Sequence, residues 1–382
     1  MDYGYHVDRG WRLHRAIKVF AMDTVIPPLN YFDPAIFALE QRELFRRTWN
    51  CVGFRYQLAK PNDFISRDIG GQSVIVHNFD GELRAFHNVC SHRFNRIHSA
   101  PSGNRPLQCA YHGWSYDEAG LPNGIPKRPR FDDLTPEKIC ALRLKAWQIE
   151  TCGQLVFVCR ASDGPSLSEY LGESYAMVEQ MTNACGSPID ENVMTIRANW
   201  KILVENTLES YHVGFIHPTT FSRLNAGEGV FAWQPPHSSW ATPLGQKFVA
   251  RMEKVLRLFE SRPLKIDGYF HQLIFPNLTL ASTQGTSFSV QFFEPIGPKE
   301  TRFTSIVFQT KLGEISVGVR TAVEAMNKSV VDFNRAVFSE DKEICEQVQR
   351  GTAETALTGI LSDEELRVGD FQSHYMRALR PA

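Results

Sequence analysis

The sequence predicts an α+β fold in two parts, a small all-β domain followed by a larger domain of mixed type. Short apolar runs separated by turn residues extend from about residue 51 to residue 160, which is typical of a small β-domain. Strand patterns recur between residues 270 and 310, and residues 320–350 carry a long helical pattern. Gly164-Pro165 and the polar stretch that follows it mark the boundary between the two parts.

Length and charge limit the possible classes of function. The 382 residues are enough for two or three domains, and the net charge of −1 gives no electrostatic case for nucleic acid or an anionic membrane. No apolar run reaches the roughly 18 residues of a membrane span. The first ten residues lack the apolar core of a signal peptide, and the scattered cysteines show no disulfide framework. We therefore expect a cytoplasmic protein with no nucleic-acid or membrane partner.

Residues 1–50 are expected to form an N-terminal arm and a helix that packs on the larger domain. Residues 1–25 include several basic side chains and read either as a basic amphipathic arm or as a partly ordered terminus. A helical pattern begins at Asp33, with Asp33 as the cap and Pro34 in the first turn, and its apolar face continues to Phe45.

A predicted β-hairpin leads to the first motif that carries chemistry. Its first strand ends at Phe79, Asp80-Gly81 is a strong hairpin turn signal, and the chain returns through residues 83–87 to Cys90. Residues 155–158 look like the closing strand of this small domain.

Four candidate metal ligands stand in two short arms. The first arm reads Cys90-Ser91-His92, and after sixteen residues the second reads Cys109-Ala110-Tyr111-His112. A Cys2His2 set can hold tetrahedral zinc, but zinc fingers usually group their ligands as Cys–Cys and His–His pairs. One thiolate and one imidazole in each arm suit two irons instead, one bound by both sulfurs and the other by both nitrogens.

The residues that flank the arms make the resemblance more specific. Arg93 follows the first arm and Gly113-Trp114 follows the second, and together with the four ligands they resemble the Rieske [2Fe–2S] pattern. The family usually has glycine after that arginine, whereas this chain has Phe94, a departure that concerns the loop covering the cluster. A zinc site is the alternative.

A second candidate metal site begins in the run from Asn199 to Pro218, in which Trp200 to Tyr211 is predicted to be helical. On a helix, Glu205, Leu208, Glu209 and His212 would share one face, since they are spaced three, four and seven residues from the first. His212 and His217 are five apart and do not stack on a straight helix. A break after His212, helped by Gly214, would let both imidazoles converge.

The pattern of the C-terminal helix indicates a third ligand. Asp341 falls inside an apolar stripe that includes Val337, Phe338 and Cys345, while Glu340, Glu343 and Glu346 lie off its centre and are expected on a solvated face. A carboxylate on a buried face is costly unless it is paired or coordinates a metal. An N-cap or a buried salt bridge is the alternative role for Asp341. His212, His217 and Asp341 together make the two-histidine, one-carboxylate set of non-haem Fe(II) oxygenases.

With both motifs in this order, the chain resembles the α (terminal oxygenase) subunit of Rieske non-haem iron oxygenases from about Asp33 to Gly351. The resemblance implies a small all-β Rieske domain (51–163) and a catalytic domain (164–382) with a mostly antiparallel sheet flanked by helices. It also implies a [2Fe–2S] cluster, a mononuclear Fe(II), and a head-to-tail homotrimer in which electrons pass between neighbouring subunits. Asn206 matches a family asparagine near the iron. Glu209 matches the bridging carboxylate, expected to bond His112 of the next subunit.

The expected activity is O2-dependent hydroxylation or oxidative demethylation of a small organic substrate, with a separate NAD(P)H-dependent reductase and possibly a ferredoxin as partners. Most members have Asp at the bridging position, and Glu209 resembles the branch that acts on carnitine, choline and glycine betaine. Aromatic compounds and quaternary or N-methyl amines are the two substrate classes that remain open. An electron carrier with an inactive second domain is the alternative function. Some residues of this region are candidates for the pocket, although core packing is the expected role of any single aromatic among them: Phe231, Trp233, Trp240, Arg251, Phe270, Asn277, Phe288, Gln291, Phe292 and Phe293.

Overall fold

A computed structural model describes residues 22–23, 26–224, 226–257 and 262–380. The proposed basic arm at residues 1–25 therefore lies almost wholly outside the described residues. Two compact units can be distinguished, one of residues 39–170 and one that combines residue 171 onward with the residues before 39. Helices and antiparallel sheets occur together, which confirms the predicted α+β class.

The strands are β1 Met22–Asp23, β2 Asn50–Phe54, β3 Asp63–Ile69, β4 Gln72–Phe79, β5 Glu82–His87, β6 Ser102–Asn104, β7 Ser115–Tyr116, β8 Pro122–Gly124, β9 Ala146–Cys152, β10 Leu155–Cys159, β11 Cys185–Ile196, β12 Val230–Gln234, β13 His237–Thr242, β14 Tyr269–Ile274, β15 Leu278–Thr283, β16 Ser287–Gly297, β17 Glu300–Thr310 and β18 Ile360–Leu361. The α-helices are α1 Pro34–Leu39, α2 Pro136–Ala141, α3 Leu167–Leu171, α4 Ser174–Ala184, α5 Trp200–Thr207, α6 Val213–Ile216, α7 Gln246–Leu256, α8 Val317–Thr352 and α9 Leu366–Ala378.

The unit of residues 39–170 is built on a seven-stranded sheet in the order β2-β10-β9-β5-β4-β3-β6. The predicted β4–β5 hairpin is confirmed: Asp80 and Gly81 have φ of 52° and 105°, the left-handed values that a tight hairpin turn requires. Asn78 fixes this turn because its Oδ1 accepts a hydrogen bond from the Gly81 N–H at 2.6 Å. The hairpin brings the chain to Cys90, which is buried in the core of this unit.

The second unit has its own seven-stranded antiparallel sheet in the order β11-β17-β16-β15-β14-β13-β12. The long helix α8 packs beside β11 and also contacts α5. Ser316 caps α8 by accepting a hydrogen bond from the Val319 N–H at 3.4 Å. The polar stretch that follows Gly164-Pro165, predicted as a boundary, contains α3, α4 and the start of β11.

The helix predicted from Trp200 to Tyr211 is shorter than expected. It ends at Thr207, whose Oγ1 donates to the Val204 carbonyl at 2.8 Å, and the Leu208 N–H bonds the carbonyl three residues back rather than four. This tightened last turn ends the helix before His212 is reached. The break therefore lies before His212, not after it as the sequence predicted. None of the helices in the described ranges has the length and apolar character needed to cross a bilayer.

Candidate metal centres and cavity

Two equivalent turns present the Cys/His arms. The Phe94 N–H donates to the Cys90 carbonyl at 3.0 Å, and the Gly113 N–H donates to the Cys109 carbonyl at 2.9 Å. Phe94 and Gly113 have φ of 61° and 72°, so the first loop holds phenylalanine in a backbone region that favours glycine. The Phe94 ring is 80% exposed. The departure from the Rieske pattern thus leaves the turn intact and adds an aromatic ring to its surface.

Both thiols are buried and each accepts a polar contact. The Tyr116 hydroxyl donates to Cys90 Sγ at 3.0 Å, and the Asn95 amide donates to Cys109 Sγ at 3.6 Å. Burial raises the pKa of the Cys90 thiol, and the Tyr116 hydroxyl opposes that shift. Because donors to a sulfur stabilise its thiolate, these contacts suit a pair of cluster ligands.

The two imidazoles of the arms lie together. The ring centroids of His92 and His112 are 4.5 Å apart, and the Trp114 ring stacks on His92 at 4.8 Å. His92 Nδ1 is buried and has no hydrogen-bond partner among the described residues. An unsatisfied buried imidazole nitrogen next to a second imidazole and two thiols has the donor chemistry of a Rieske cluster site.

His212, His217 and Asp341 converge in the other unit. Their ligand atoms all lie within 4.8 Å of one another. Asp341 Oδ1 is 3.0 Å from His217 Nε2 and 3.6 Å from His212 Nε2, and it accepts a hydrogen bond from the Asn206 amide at 2.9 Å. Two imidazole nitrogens and one carboxylate around a common point fit a mononuclear iron. The roles of these residues as ligands, and of Asn206 beside them, stay predictions.

Carboxylates hold the outer nitrogen of each imidazole. Glu209 bonds both Nδ1 and the backbone N–H of His212. Glu340 Oε2 is 2.7 Å from His217 Nδ1 and also accepts a hydrogen bond from the Thr220 hydroxyl at 2.7 Å. With Nδ1 engaged, each ring turns Nε2 toward Asp341. Burial lowers the pKa of His217, but the Asp341 and Glu340 carboxylates outweigh it and raise that pKa overall.

The prediction that Glu340 and Glu346 belong to a solvated face is wrong. Glu340 bonds His217, and Glu346 is 8% exposed and accepts a 2.8 Å hydrogen bond from the Arg197 guanidinium. Both side chains lie off the centre of the apolar stripe but are reached by chain segments far away in sequence. A helical pattern cannot reveal such partners, because it reports only the faces of one element.

Glu205 also differs from its predicted position. It was expected on one face with Glu209 and His212, but α5 ends between them. Glu205 is half-buried and accepts hydrogen bonds from the Tyr31 hydroxyl at 2.7 Å and the Gln372 amide at 3.1 Å. Burial raises its pKa to about 7, and these two bonds oppose the shift.

Replacing Glu340 with glutamine is expected to weaken iron binding at the mononuclear site by about 10- to 100-fold, the usual cost of losing an outer carboxylate partner. The amide keeps the shape of the side chain but accepts a weaker hydrogen bond from His217. Titration of the iron-free protein with Fe(II) measures the effect, with Glu343→Gln on the exposed side of the same helix as the control. Equal iron affinity in the two variants would contradict the supporting role of Glu340.

A cavity of about 310 Å³ is continuous with the His/His/Asp cluster. One row of side chains crosses five neighbouring strands of the sheet and lines it: Trp240, His271, Ala281, Ser289 and Val307. Residues paired across strands point to the same face of a sheet, so the row forms one wall.

Helix α8 forms another wall. Met326, Val330, Phe333 and Val337 line the cavity at intervals of three or four residues, and Asp341 is the next residue on the same stripe. Of the predicted apolar stripe, Val337 and Phe338 line the cavity and Cys345 does not. The face that lines the cavity extends from them toward the start of the helix and ends at the carboxylate of the metal cluster. This arrangement explains why an acidic residue interrupts an otherwise apolar face.

Only part of the predicted pocket set lines this cavity. Trp240, Phe288 and Gln291 do so. Arg251 is exposed, and the Asn277 amide bonds a backbone carbonyl. The other predicted aromatic residues are outside the described lining: Phe231, Trp233, Phe270, Phe292 and Phe293. Sequence reasoning missed His271 and Tyr269, which the alternation of β14 places on one face but which no motif marks.

Two protein-family models match the chain, a Rieske [2Fe-2S] domain over residues 48–148 and a ring hydroxylating alpha subunit catalytic domain over residues 176–380. The carnitine monooxygenase oxygenase subunit of Acinetobacter pittii is 27% identical, over 89% of this chain and 89% of that protein. The large oxygenase component of the naphthalene 1,2-dioxygenase system of Pseudomonas aeruginosa is 30% identical, over 52% of this chain and 45% of that protein.

A similar solved structure is that of the quaternary ammonium Rieske monooxygenase CntA in complex with L-carnitine. It has a TM-score of 0.75 and 20% sequence identity, and the match covers 94% of this chain and 96% of the other. At this identity the likeness shows the fold.

Proposed function

Because the chain belongs to the ring-hydroxylating alpha-subunit family of Rieske non-haem iron oxygenases, we propose that it is a terminal oxygenase component whose own residues hold both metal centres. It carries a Rieske [2Fe–2S] domain and a catalytic domain of the kind that uses mononuclear Fe(II). The proposed cluster ligands are Cys90, His92, Cys109 and His112. The proposed iron ligands are His212, His217 and Asp341. The observation that carries the proposal is the convergence of these last three beside a cavity of substrate size.

When bound, the cluster supplies electrons and the mononuclear iron supplies activation of O2. Side chains of this protein position the proposed metal ligands and the substrate. Glu209 and Glu340 hold the imidazoles in position, and the Asn206 amide orients the Asp341 carboxylate. The apolar walls of α8 and the sheet hold the substrate beside the iron site and exclude water.

The substrate is a small organic molecule, either an aromatic compound or a quaternary or N-methyl amine. Trp240, Tyr269 and Phe221 form edge-to-face pairs in the cavity lining, with ring centroids 5.9 Å and 5.2 Å apart. Such a surface suits a planar ring and also a methylated ammonium group. The names of the relatives cover both classes, carnitine on one side and naphthalene on the other.

The family works with a reductase or ferredoxin and with O2. The finer parts of the proposal are an NAD(P)H-dependent reductase partner, a head-to-tail homotrimer in which Glu209 bonds His112 of the next subunit, and a cytoplasmic location with no membrane or nucleic-acid partner. The proposal also includes the domain bounds: an N-terminal arm and helix at 1–50, the Rieske domain at 51–163 and the catalytic domain at 164–382. The bond between Glu209 and His212 within one chain supports half of the proposed bridge.

Metal analysis of the purified protein tests the proposal. We expect three irons and two acid-labile sulfides per chain, because the cluster accounts for two of each and the third iron fills the mononuclear site. Two irons and two sulfides would favour the electron-carrier alternative, and zinc without sulfide would contradict the cluster assignment.

A further inference from the structure

His271 is a buried imidazole in the middle of the cavity wall, and neither metal centre uses it. It lies on β14 with Trp240 and Ala281 as its neighbours across the adjoining strands, and it is 3% exposed. Its Nε2 is buried and has no hydrogen-bond partner among the described residues. A polar atom in this state costs free energy unless a bound molecule supplies its partner.

Arg367 fixes which nitrogen of His271 carries the proton. Both terminal nitrogens of the buried guanidinium are 3.2 Å from His271 Nδ1. The same guanidinium bonds the Ser238 hydroxyl at 3.1 Å and the Ser238 carbonyl at 3.2 Å, which anchors it from β13. A guanidinium only donates hydrogen bonds, so Nδ1 is an acceptor and the proton of the neutral ring is on Nε2.

The neutral state of this ring follows from its surroundings. Burial is the main cause that holds the pKa of His271 well below its usual value, and the Arg367 charge adds to the effect. Burial also lowers the pKa of Arg367 to about 9, so the guanidinium keeps its charge at neutral pH. His271 therefore presents one N–H donor with a fixed direction in a lining that is mostly apolar and aromatic.

We propose that His271 positions the substrate by donating a hydrogen bond from Nε2 to an oxygen acceptor on an otherwise apolar aromatic substrate, such as a ring ketone or an aryl ether. Arg367 is the positioning residue that sets the tautomer of His271. A few well-placed polar groups in an apolar pocket commonly fix the orientation of a ligand. The proposal rests on the oxygenase function above, and within the aromatic class it selects substrates that carry an oxygen acceptor.

A pair of matched probes tests this inference on the metal-loaded protein. 1-Tetralone carries a ketone oxygen on a bicyclic aromatic frame, and tetralin is the same frame without it. The dissociation constants of both are measured by calorimetry for the wild type, His271→Phe and His271→Gln. Phenylalanine keeps a flat ring but has no donor, whereas the glutamine amide carries an N–H near the position of Nε2.

We expect the wild type to bind 1-tetralone about 10-fold more tightly than tetralin, a ratio that corresponds to one net hydrogen bond. His271→Phe should abolish that preference, and His271→Gln should restore part of it. The hydrogen bond should also limit the number of products formed from 1-tetralone. Without it, the substrate binds in more than one orientation and is oxygenated at more than one carbon.

Three results would overturn the inference. The first is equal affinity of the wild type for the two probes. The second is an equal loss of affinity for both probes in His271→Phe with no rescue by glutamine, and the third is tighter binding of L-carnitine than of 1-tetralone. Failure of the oxygenase function gives a different outcome. In that case the probes still bind with the expected preference, but the reduced protein converts neither of them in the presence of O2.

Discussion

Replacing Asp341 with alanine is expected to remove the mononuclear iron and lower product formation by more than about 100-fold while the cluster spectrum stays unchanged. Loss of an outer partner of a metal ligand typically costs 10- to 100-fold, and loss of a ligand itself should exceed that. Asp341 Oδ1 lies 3.0 Å and 3.6 Å from the two imidazole Nε2 atoms, and among the described residues Asp341 supplies the carboxylate of this three-residue group.

Iron content and single-turnover product yield are the two readouts for Asp341→Ala. Glu343→Ala is the matched control, because Glu343 is an exposed acid two residues later on the same helix. The control should keep both the third iron and the product yield. A third iron retained in Asp341→Ala, with product at the control level, would show that the carboxylate ligand lies elsewhere.

Replacing Glu209 with glutamine should slow the passage of electrons from the cluster to the iron site by about 10- to 100-fold while both metals stay bound. A carboxylate accepts hydrogen bonds from two imidazoles, one on each side. An amide accepts with its oxygen alone, and its NH2 group would face an imidazole N–H. Glutamine therefore keeps the contact with His212 or the proposed contact with His112 of the next subunit, but not both.

The rate at which the reduced cluster is reoxidised after rapid mixing with O2 and substrate measures this effect. Glu228→Gln is the control, because it makes the same change at an exposed acid. We expect wild-type rates for the control and slow reoxidation for Glu209→Gln. A Glu209→Gln protein that reoxidises at the control rate would show that this carboxylate does not connect the two centres.

The candidate metal-binding positions can be identified from the sequence because they depend on short spacings, and their roles as ligands stay predictions. Cys90 and His92 sit on one turn and Cys109 and His112 on another, so their proximity within each arm is local. Asp341 is recognisable because an acid interrupts an apolar stripe, of which Val337 and Phe338 line the cavity. In both cases one secondary-structure element contains the whole signal.

The supporting residues were missed because their partners lie far away in the sequence. Glu340 bonds His217 across 123 positions, and Arg367 bonds His271 across 96. The pattern of α8 places Glu340 toward solvent, and only the position of the residue that follows α6, His217, brings an imidazole to it. In the same way, strand alternation predicts the face of the sheet on which His271 lies, but it does not reveal the arginine that fixes the tautomer of His271.

The early end of α5 has a different cause. Helical periodicity alone allows α5 to continue to Tyr211, but the Thr207 hydroxyl bonds its own helix and a tighter turn follows. The weak helix preference of a β-branched residue then decides the boundary. This break places Glu209 and His212 on a turn, where the carboxylate reaches both Nδ1 and the backbone N–H of the histidine.

The most direct measurement of oxygenase function is a single turnover of the chemically reduced protein with ¹⁸O2 and a mixed panel of aromatic compounds and quaternary amines. Reduction without a partner reductase leaves this chain as the sole catalyst. We predict a hydroxylated product that carries ¹⁸O, or a demethylated product together with an equal amount of formaldehyde, in a yield that approaches one per chain. Reoxidation of the cluster with no product from any member of the panel, in protein that holds two irons per chain, would contradict the oxygenase function and leave an electron carrier.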